Sequence, residues 1–292
     1  AAPLLNDFIA MQRNAAAGCA AAGTGCPSGV AGAPIGLVTS GVLTAAFVNS
    51  ATTRNELTQN AAGAFAGRVE TSTLAARLRP NQQFNQITYV DSGGDSYYHS
   101  FQAVLRKRFS NGLTVNASYA FAKSIDNQSV DPIASSSSGG LSTTNSRTPA
   151  DTSNWRNERA VSDFDRRHVF NSAWLYELPF GKNKAFLGSA SGLLNHLAGG
   201  WSLNGIFSAY TGEPWTITSG TRTNNASHVS RAALLTSELP SFSLKQQAGS
   251  VGPVLVTQAE KERYFGIPGP GENGMGRNLF RGPGYWNFDL AV

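Results

Sequence analysis

Cysteine, histidine, aspartate and glycine-rich motifs are where this 292-residue sequence could do chemistry, and their spacing narrows what that chemistry is. Cys19 and Cys26 lie in a segment of Gly, Ala and Pro. A pair so placed closes a small disulfide loop in an oxidising space. Zinc is the competing use, but a structural site wants four ligands and no histidine precedes His99. The histidines His99, His168, His196 and His228 are scattered, without metal-ligand spacing. Asp91 and Asp95, or Asp126 and Asp131, could offer oxygens to calcium; the plainer reading is a Gly-rich polar turn before a strand. Gly269-Pro270-Gly271-Glu272-Asn273-Gly274 has dinucleotide-binding spacing, yet it follows no strand, opens no helix and holds Pro270 in the turn. No nucleophile-elbow motif flanks a serine. The sequence therefore nominates no catalytic residue, no metal and no cofactor, and does not read as an enzyme.

What it does nominate is a strand pattern. From Tyr97 to Ser124 the odd positions carry Tyr97, Phe101, Leu105, Phe109, Leu113, Val115, Tyr119 and Phe121, while the even ones carry Ser100, Gln102, Arg106, Thr114, Asn116 and Ser118. A period of two is strand geometry. Parity across the turn depends on its length. A two-residue loop at Asn111-Gly112 would oppose Phe109 to Thr114 and split the apolar face. A three-residue loop, Ser110-Asn111-Gly112, pairs Phe109 with Leu113 and puts Gly112 in the left-handed position of a bulged turn. The expectation is the three-residue loop. Each strand runs about ten residues, close to what a tilted strand needs to cross a bilayer and longer than the ~5 to 6 typical of soluble sheets.

Composition agrees. Only 14% of the residues are charged, against about a quarter in soluble domains. The formal charge is +5 with a pI near 9.4, but the 23 basic residues are scattered, which argues against a nucleic-acid partner. No apolar run approaches the ~18 residues of a membrane helix, so any membrane contact is through strands. The chain opens on Ala1-Ala2-Pro3 without a positively charged start, which reads as a processed or cut end.

In chain order, residues 1–96 read as a long loop or cap without a core of its own, holding the disulfide loop and short helices over Leu4 to Asn14, Glu56 to Phe65 and Thr71 to Leu78. Residues 97–292 form the strand region, with long loops at 125–165 and 219–283. A third strand is expected from Arg166 to Leu178, a fourth from Trp201 to about Thr218 with a bend at Pro214, and a fifth from Tyr285. Ser191 to Leu197 suits a turn or two of helix, and Thr257-Gln258-Ala259-Glu260 is a capping box opening a helix that stops at Gly266. Asp163 and Asp165 with Arg166 and Arg167 form a charge cluster that ties a loop to the rim. Tyr97, Tyr98, Trp174, Tyr176, Trp201, Trp215 and Trp286 suit interfacial girdles or a sugar-stacking surface, with girdle or packing the default reading.

Several blocks then carry a resemblance: Ser96 to Gln102, Arg106 to Leu113, Ser118 to Ser124, Asn157-Glu158-Arg159 to His168, Tyr176 to Lys182, Gly199-Gly200-Trp201, and Gly276 to Gly284 with Asn287 to Leu290. Together they resemble the late barrel of TonB-dependent outer-membrane receptors, most of all the Oar-like, carboxypeptidase-regulatory-domain-containing group frequent in acidobacteria. The resemblance implies an all-β antiparallel meander of membrane-barrel-type strands, a partial or composite barrel with long loops carrying short helices. It also implies the outer membrane or outer surface of a Gram-negative cell, and uptake of iron chelates, vitamins or glycans. Such receptors have a plug and about 22 strands, whereas this chain shows about five strands and no plug, and so is expected to be part of a transporter. Its partners are then outer-membrane lipid and the remaining strands and plug. The alternative is pairing with other copies through open strand edges, giving a structural tube or filament outside the cell.

Overall fold

A computed structural model describes residues 2–72, 81, 83, 92–129, 154–189, 191–225 and 229–292. The expected helix from Thr71 to Leu78, most of the 125–165 loop, and Asp91, Asp131 and His228 fall wholly or largely outside these residues. The chain's strands are β1 (Ser96–Ser110), β2 (Leu113–Asp126), β3 (Ala160–Val161), β4 (His168–Glu177), β5 (Ser202–Tyr210), β6 (Pro214–Trp215), β7 (Ala233–Leu234), β8 (Phe265–Gly266), β9 (Phe280–Arg281) and β10 (Tyr285–Ala291). The main sheet is an antiparallel meander ordered β1-β2-β4-β5-β10, with β3 beside the end of β2, and it is not closed.

The β1–β2 turn corrects the expected loop. Asn111 and Gly112 both have positive φ, 53° and 75°, and Ser110 pairs with Leu113. That is a two-residue turn with left-handed central residues, whose twist matches its flanking strands. Phe109 therefore does not pair with Leu113. The extra residue needed for parity sits instead in a β1 bulge between Lys107, which pairs with Val115, and Ser110. Beyond it odd residues face odd ones, as in Phe101 opposite Phe121 and Leu105 opposite Ala117. The turn leans on β4: Glu177 N donates to the Gly112 carbonyl at 2.7 Å, and a Cβ on Gly112 would lie 2.8 Å from the Glu177 oxygen.

Register carries one face across the whole sheet. Tyr119, Phe170, Ala209 and Trp286 share a row, as do Ala117, Ser172, Phe207 and Phe288. Rings meet along it, Phe170 to Phe207 at 5.9 Å, Phe207 to Phe288 at 6.4 Å and Trp174 to Phe288 at 6.5 Å. Trp174 lies over Gly205, where a Cβ would come within 2.3 Å of the indole. The other face presents Asn116, Asn171, Asn204, Ser208 and Asn287. The apolar face is open: Phe101 and Leu105 remain 63% and 64% exposed. β5 ends at Tyr210, short of Thr218, because Gly212 takes up a backbone crossing. A Cβ there would sit 1.9 Å from the Gly282 carbonyl, and β6 leaves to pair with β9.

Residues before the sheet fold into α1 (Ala2–Ala16), α2 (Gly36–Thr39), α3 (Ala45–Val48), α4 (Ala51–Thr58) and α5 (Ala62–Thr71). Contrary to expectation they bury a core of their own, with Phe8, Met11, Ile35, Leu43, Val48, Phe65 and Val69 almost fully enclosed. Helical spacing in α1 was legible, but Leu43 lies in no helix and Val48 in a four-residue one, too short to show a period. The helix expected over Glu56 to Phe65 is two helices, broken at Asn60 with φ 54°. Arg68 joins them, donating to both Glu56 oxygens and Thr53 while lying 4.2 Å over the Phe47 ring. Cys19 and Cys26 are joined, and Cys19 is buried.

Residues 211–284, of which 219–283 are expected as a loop and the start as the end of the fourth strand, make a second small core of Ala232, Val256, Phe265, Met275 and Phe280, flanked by Trp215 and Phe242. Here α7 (Gln258–Tyr264) starts with the expected capping box: Thr257 Oγ1 accepts from Glu260 N, and Thr257 N donates to Glu260. The helical block rests on this tier, as Gly63 N and Ala64 N donate to the Arg222 carbonyl and Asn60 to that of Pro268. Both lie at the end of the sheet where β1 starts. Among the described residues the other end has the Asn111-Gly112 turn and the β4–β5 connection with α6 (Leu193–Ala198).

Candidate functional site

Where the long loops meet the sheet, three arginines are held in carboxylate and carbonyl cages. Arg277, buried, is ion-paired to Asp126 at the end of β2 and to Asp163 at 3.1 Å. It also donates to the Asp126 and Glu158 carbonyls at 3.0 and 3.1 Å and to Ser129 Oγ at 2.9 Å. Arg231, equally buried, donates to Glu158 at 2.9 Å and to the Met275 carbonyl at 2.7 Å. Arg281 pairs with Asp165, whose other oxygen accepts from Ser124 N at 2.6 Å. Asn278 donates to the Val161 carbonyl and to Asp163 at 2.8 and 2.6 Å. The clasp thus binds β2, the 154–165 segment and the 276–281 segment to one another. A buried arginine is tolerated only when its donors are used, and here the carbonyls use what the carboxylates leave.

The expected charge cluster is therefore differently wired. Asp163 and Asp165 reach Arg277 and Arg281 rather than Arg166 and Arg167, and Arg166 pairs with Glu213 at 2.6 Å and lies 4.0 Å over Tyr210. Asp126, weighed as a calcium ligand, is instead consumed by Arg277 and Ser129. Sequence reasoning missed Glu158, Arg231 and Arg277 as a unit. A signal was present, since Asn157 to His168 and Gly276 to Gly284 stood out as separate blocks, but nothing local says that they meet.

The glycines of the 269–274 run serve packing. A Cβ on Gly274 would lie 1.9 Å from the Arg231 carbonyl, and Gly271 and Gly274 have positive φ. They let this strand of chain lie against the clasp, where Arg231 N donates to the Asn273 carbonyl. His99 and His168 sit on the sheet, the latter sharing a 2.8 Å hydrogen bond with Tyr119, and His196 is on α6. Phe109, Asn111, Gly112 and Leu113 lie at the far end from the clasp, and the Cys19–Cys26 bond lies in the helical block.

Two clefts open beside the clasp. One, of about 600 Å³, is lined by Trp215, Ile217, Val256, Phe265 and Ile267, with Lys261 at its wall. The other, of about 590 Å³, is lined by Asn157, Arg231, Leu234, Glu272 and Asn273. Their walls offer apolar surface and amide or carboxylate groups, which is equipment for holding a ligand. Close by, Glu260 has its carboxyl lowered to about 2, chiefly by the Lys245 hydrogen bond and next by the Thr257 backbone N–H.

No curated protein and no solved structure matches the chain. A family model described as outer membrane beta barrel domain matches residues 37–292, taking in the helices from α2 onward, the loop tier and every strand of the sheet. With its long antiparallel strands, one continuous apolar face and loops gathered at one end, the chain belongs to the outer membrane beta barrel domain family.

Proposed function

We propose that this chain is the late wall of a TonB-dependent-receptor-type barrel, with its apolar face toward outer-membrane lipid and its loop tier at the outer mouth, where ligand is met. The observation that carries the reading is the clasp. The blocks that resemble the receptor group, Asn157 to His168 and Gly276 to Gly284, are the ones joined through Arg277, Asn278 and Arg281. Such a clasp holds a mouth in shape while strands below it tilt through lipid. The clefts beside it give the receptor reading a place for ligand, and the chemistry is binding and passage.

A second reading has its own observation. β1 is exposed along its whole length, and β1 and β10 each keep one free ladder edge among the described residues. Such edges pair with whatever strand is offered, and copies of the chain joined edge to edge would form a tube or filament.

Electron microscopy of native material extracted with and without detergent separates the two. Closed particles obtained only in detergent, and cross-linked in cells to an inner-membrane energy-coupling protein, are the receptor outcome. Fibres in detergent-free extract overturn it in favour of self-assembly.

A further inference from the structure

The β4–β5 connection, residues 178–201, is longer than the meander requires, since two to five residues can join antiparallel neighbours. The surplus builds α6 and leaves it bare: Leu193, Leu194 and Leu197 are 77%, 52% and 66% exposed. The segment is nevertheless firmly held. Lys182 N donates to Asn195 Oδ1 at 2.7 Å, Trp201 Nε1 to the Leu197 carbonyl at 2.8 Å and Leu178 N to the Trp201 carbonyl at 2.9 Å. Gly181 and Gly199 meet so closely that a Cβ on Gly181 would lie 2.7 Å from the Gly199 Cα. The leucines are therefore displayed by an ordered scaffold.

The charge around them is mainly positive. Residues 106–112 and 178–201 contain Arg106, Lys107, Arg108, Lys182 and Lys184 and no acidic residue. Of these five cations only Lys184 has a carboxylate partner among the described residues, Glu177 at 2.7 Å. Apolar side chains flanked by unpaired cations and a tryptophan match the boundary of an anionic bilayer, where acyl chains give way to phosphates. Trp201, two residues before Leu203, also continues the parity that bears Phe207 on the apolar face.

We infer that residues 178–201 are an interfacial membrane anchor. α6 lies flat in the headgroup boundary of the leaflet at the short-turn end, its leucines among the upper acyl chains, while Lys107, Arg108 and Lys182 engage phospholipid phosphates. This rests on membership of the outer-membrane barrel family and stands apart from the receptor reading.

The test folds the gene product into phosphatidylethanolamine–phosphatidylglycerol vesicles with a spin label on Leu197→Cys, Phe288→Cys or Leu244→Cys in separate variants. Leu244 is an equally bare leucine in the loop tier. The expected result is a label at 197 shielded several-fold from a water-soluble nickel chelate relative to 244, and open to oxygen. In binding assays, changing Lys107 and Arg108 to Gln lowers the preference for phosphatidylglycerol over phosphatidylcholine vesicles about fivefold per charge. If 197 is as open to the chelate as 244 while 288 is shielded, the anchor is overturned and the lipid-facing wall survives. If 288 is open too, both fail.

Discussion

At the long-loop end of the sheet Arg231, Arg277 and Arg281 each hold a carboxylate, whereas at the short-turn end Arg106, Lys107, Arg108 and Lys182 hold none among the described residues. The first set is mostly buried and the second exposed. These apolar residues follow the same rule: Phe265, Phe280 and Met275 are enclosed above the sheet, and Leu193 and Leu197 are bare below it. One end satisfies its polar groups within the protein, and the other leaves them for its surroundings. Total composition says nothing of this; it is decided by which segments the meander brings together.

Breaking the clasp has the largest expected effect. Arg277→Leu strands the buried carboxylate of Asp126 and should cost about 3 to 5 kcal/mol, read as a lower unfolding temperature. Proteolysis should then enter the 211–284 tier before the short-turn end. Replacing Asp126 as well by Leu should recover part of the loss, because no buried charge is left alone at that position.

In the sheet between the ends, Gly205→Val drives a side chain into the Trp174 indole and should cost about 1 to 3 kcal/mol. Trp174 would be displaced from Phe288, seen as a shifted tryptophan emission. At the short-turn end, Gly112→Ala forces a left-handed residue against the Glu177 carbonyl at a cost of about 1 to 2 kcal/mol. The clasp should be untouched, so the two losses add in a double variant with Arg277→Leu.

The smallest effect concerns Glu260. Its folded-state carboxyl is lowered to about 2, so its contribution is complete above the ordinary carboxylate range and fades as pH falls from about 4.5 toward 2. Pepsin cleavage within residues 240–266 should quicken across that window, and Glu260→Gln should show the faster rate throughout.

The strand pattern was legible because a period of two survives in a single sequence, as in Phe101, Ala103 and Leu105. The capping box at Thr257 was legible for the same reason, being local. The core of α1 to α5 was not, since its members come from pieces of four to fifteen residues scattered over 8–69. Arg277 and Asp126 are 151 positions apart, and their pairing depends on the register of the whole meander. Parity required one extra residue near the Asn111 turn. It did not say whether the loop or the strand would hold it, and the twist of the two-residue turn decided for the strand.

That bulge also governs how the hairpin can change length. Arg108 and Phe109 together oppose Thr114, so a variant lacking one of them keeps every pair from Lys107 back to Tyr97 in phase. A single deletion anywhere from Tyr97 to Lys107 instead inverts all residues upstream, turning tyrosine and phenylalanine to the side of serine and glutamine. Length variation in this hairpin is thereby confined to one spot, and natural insertions or deletions, or a tag placed by an experimenter, should be accepted there and rejected a few residues earlier.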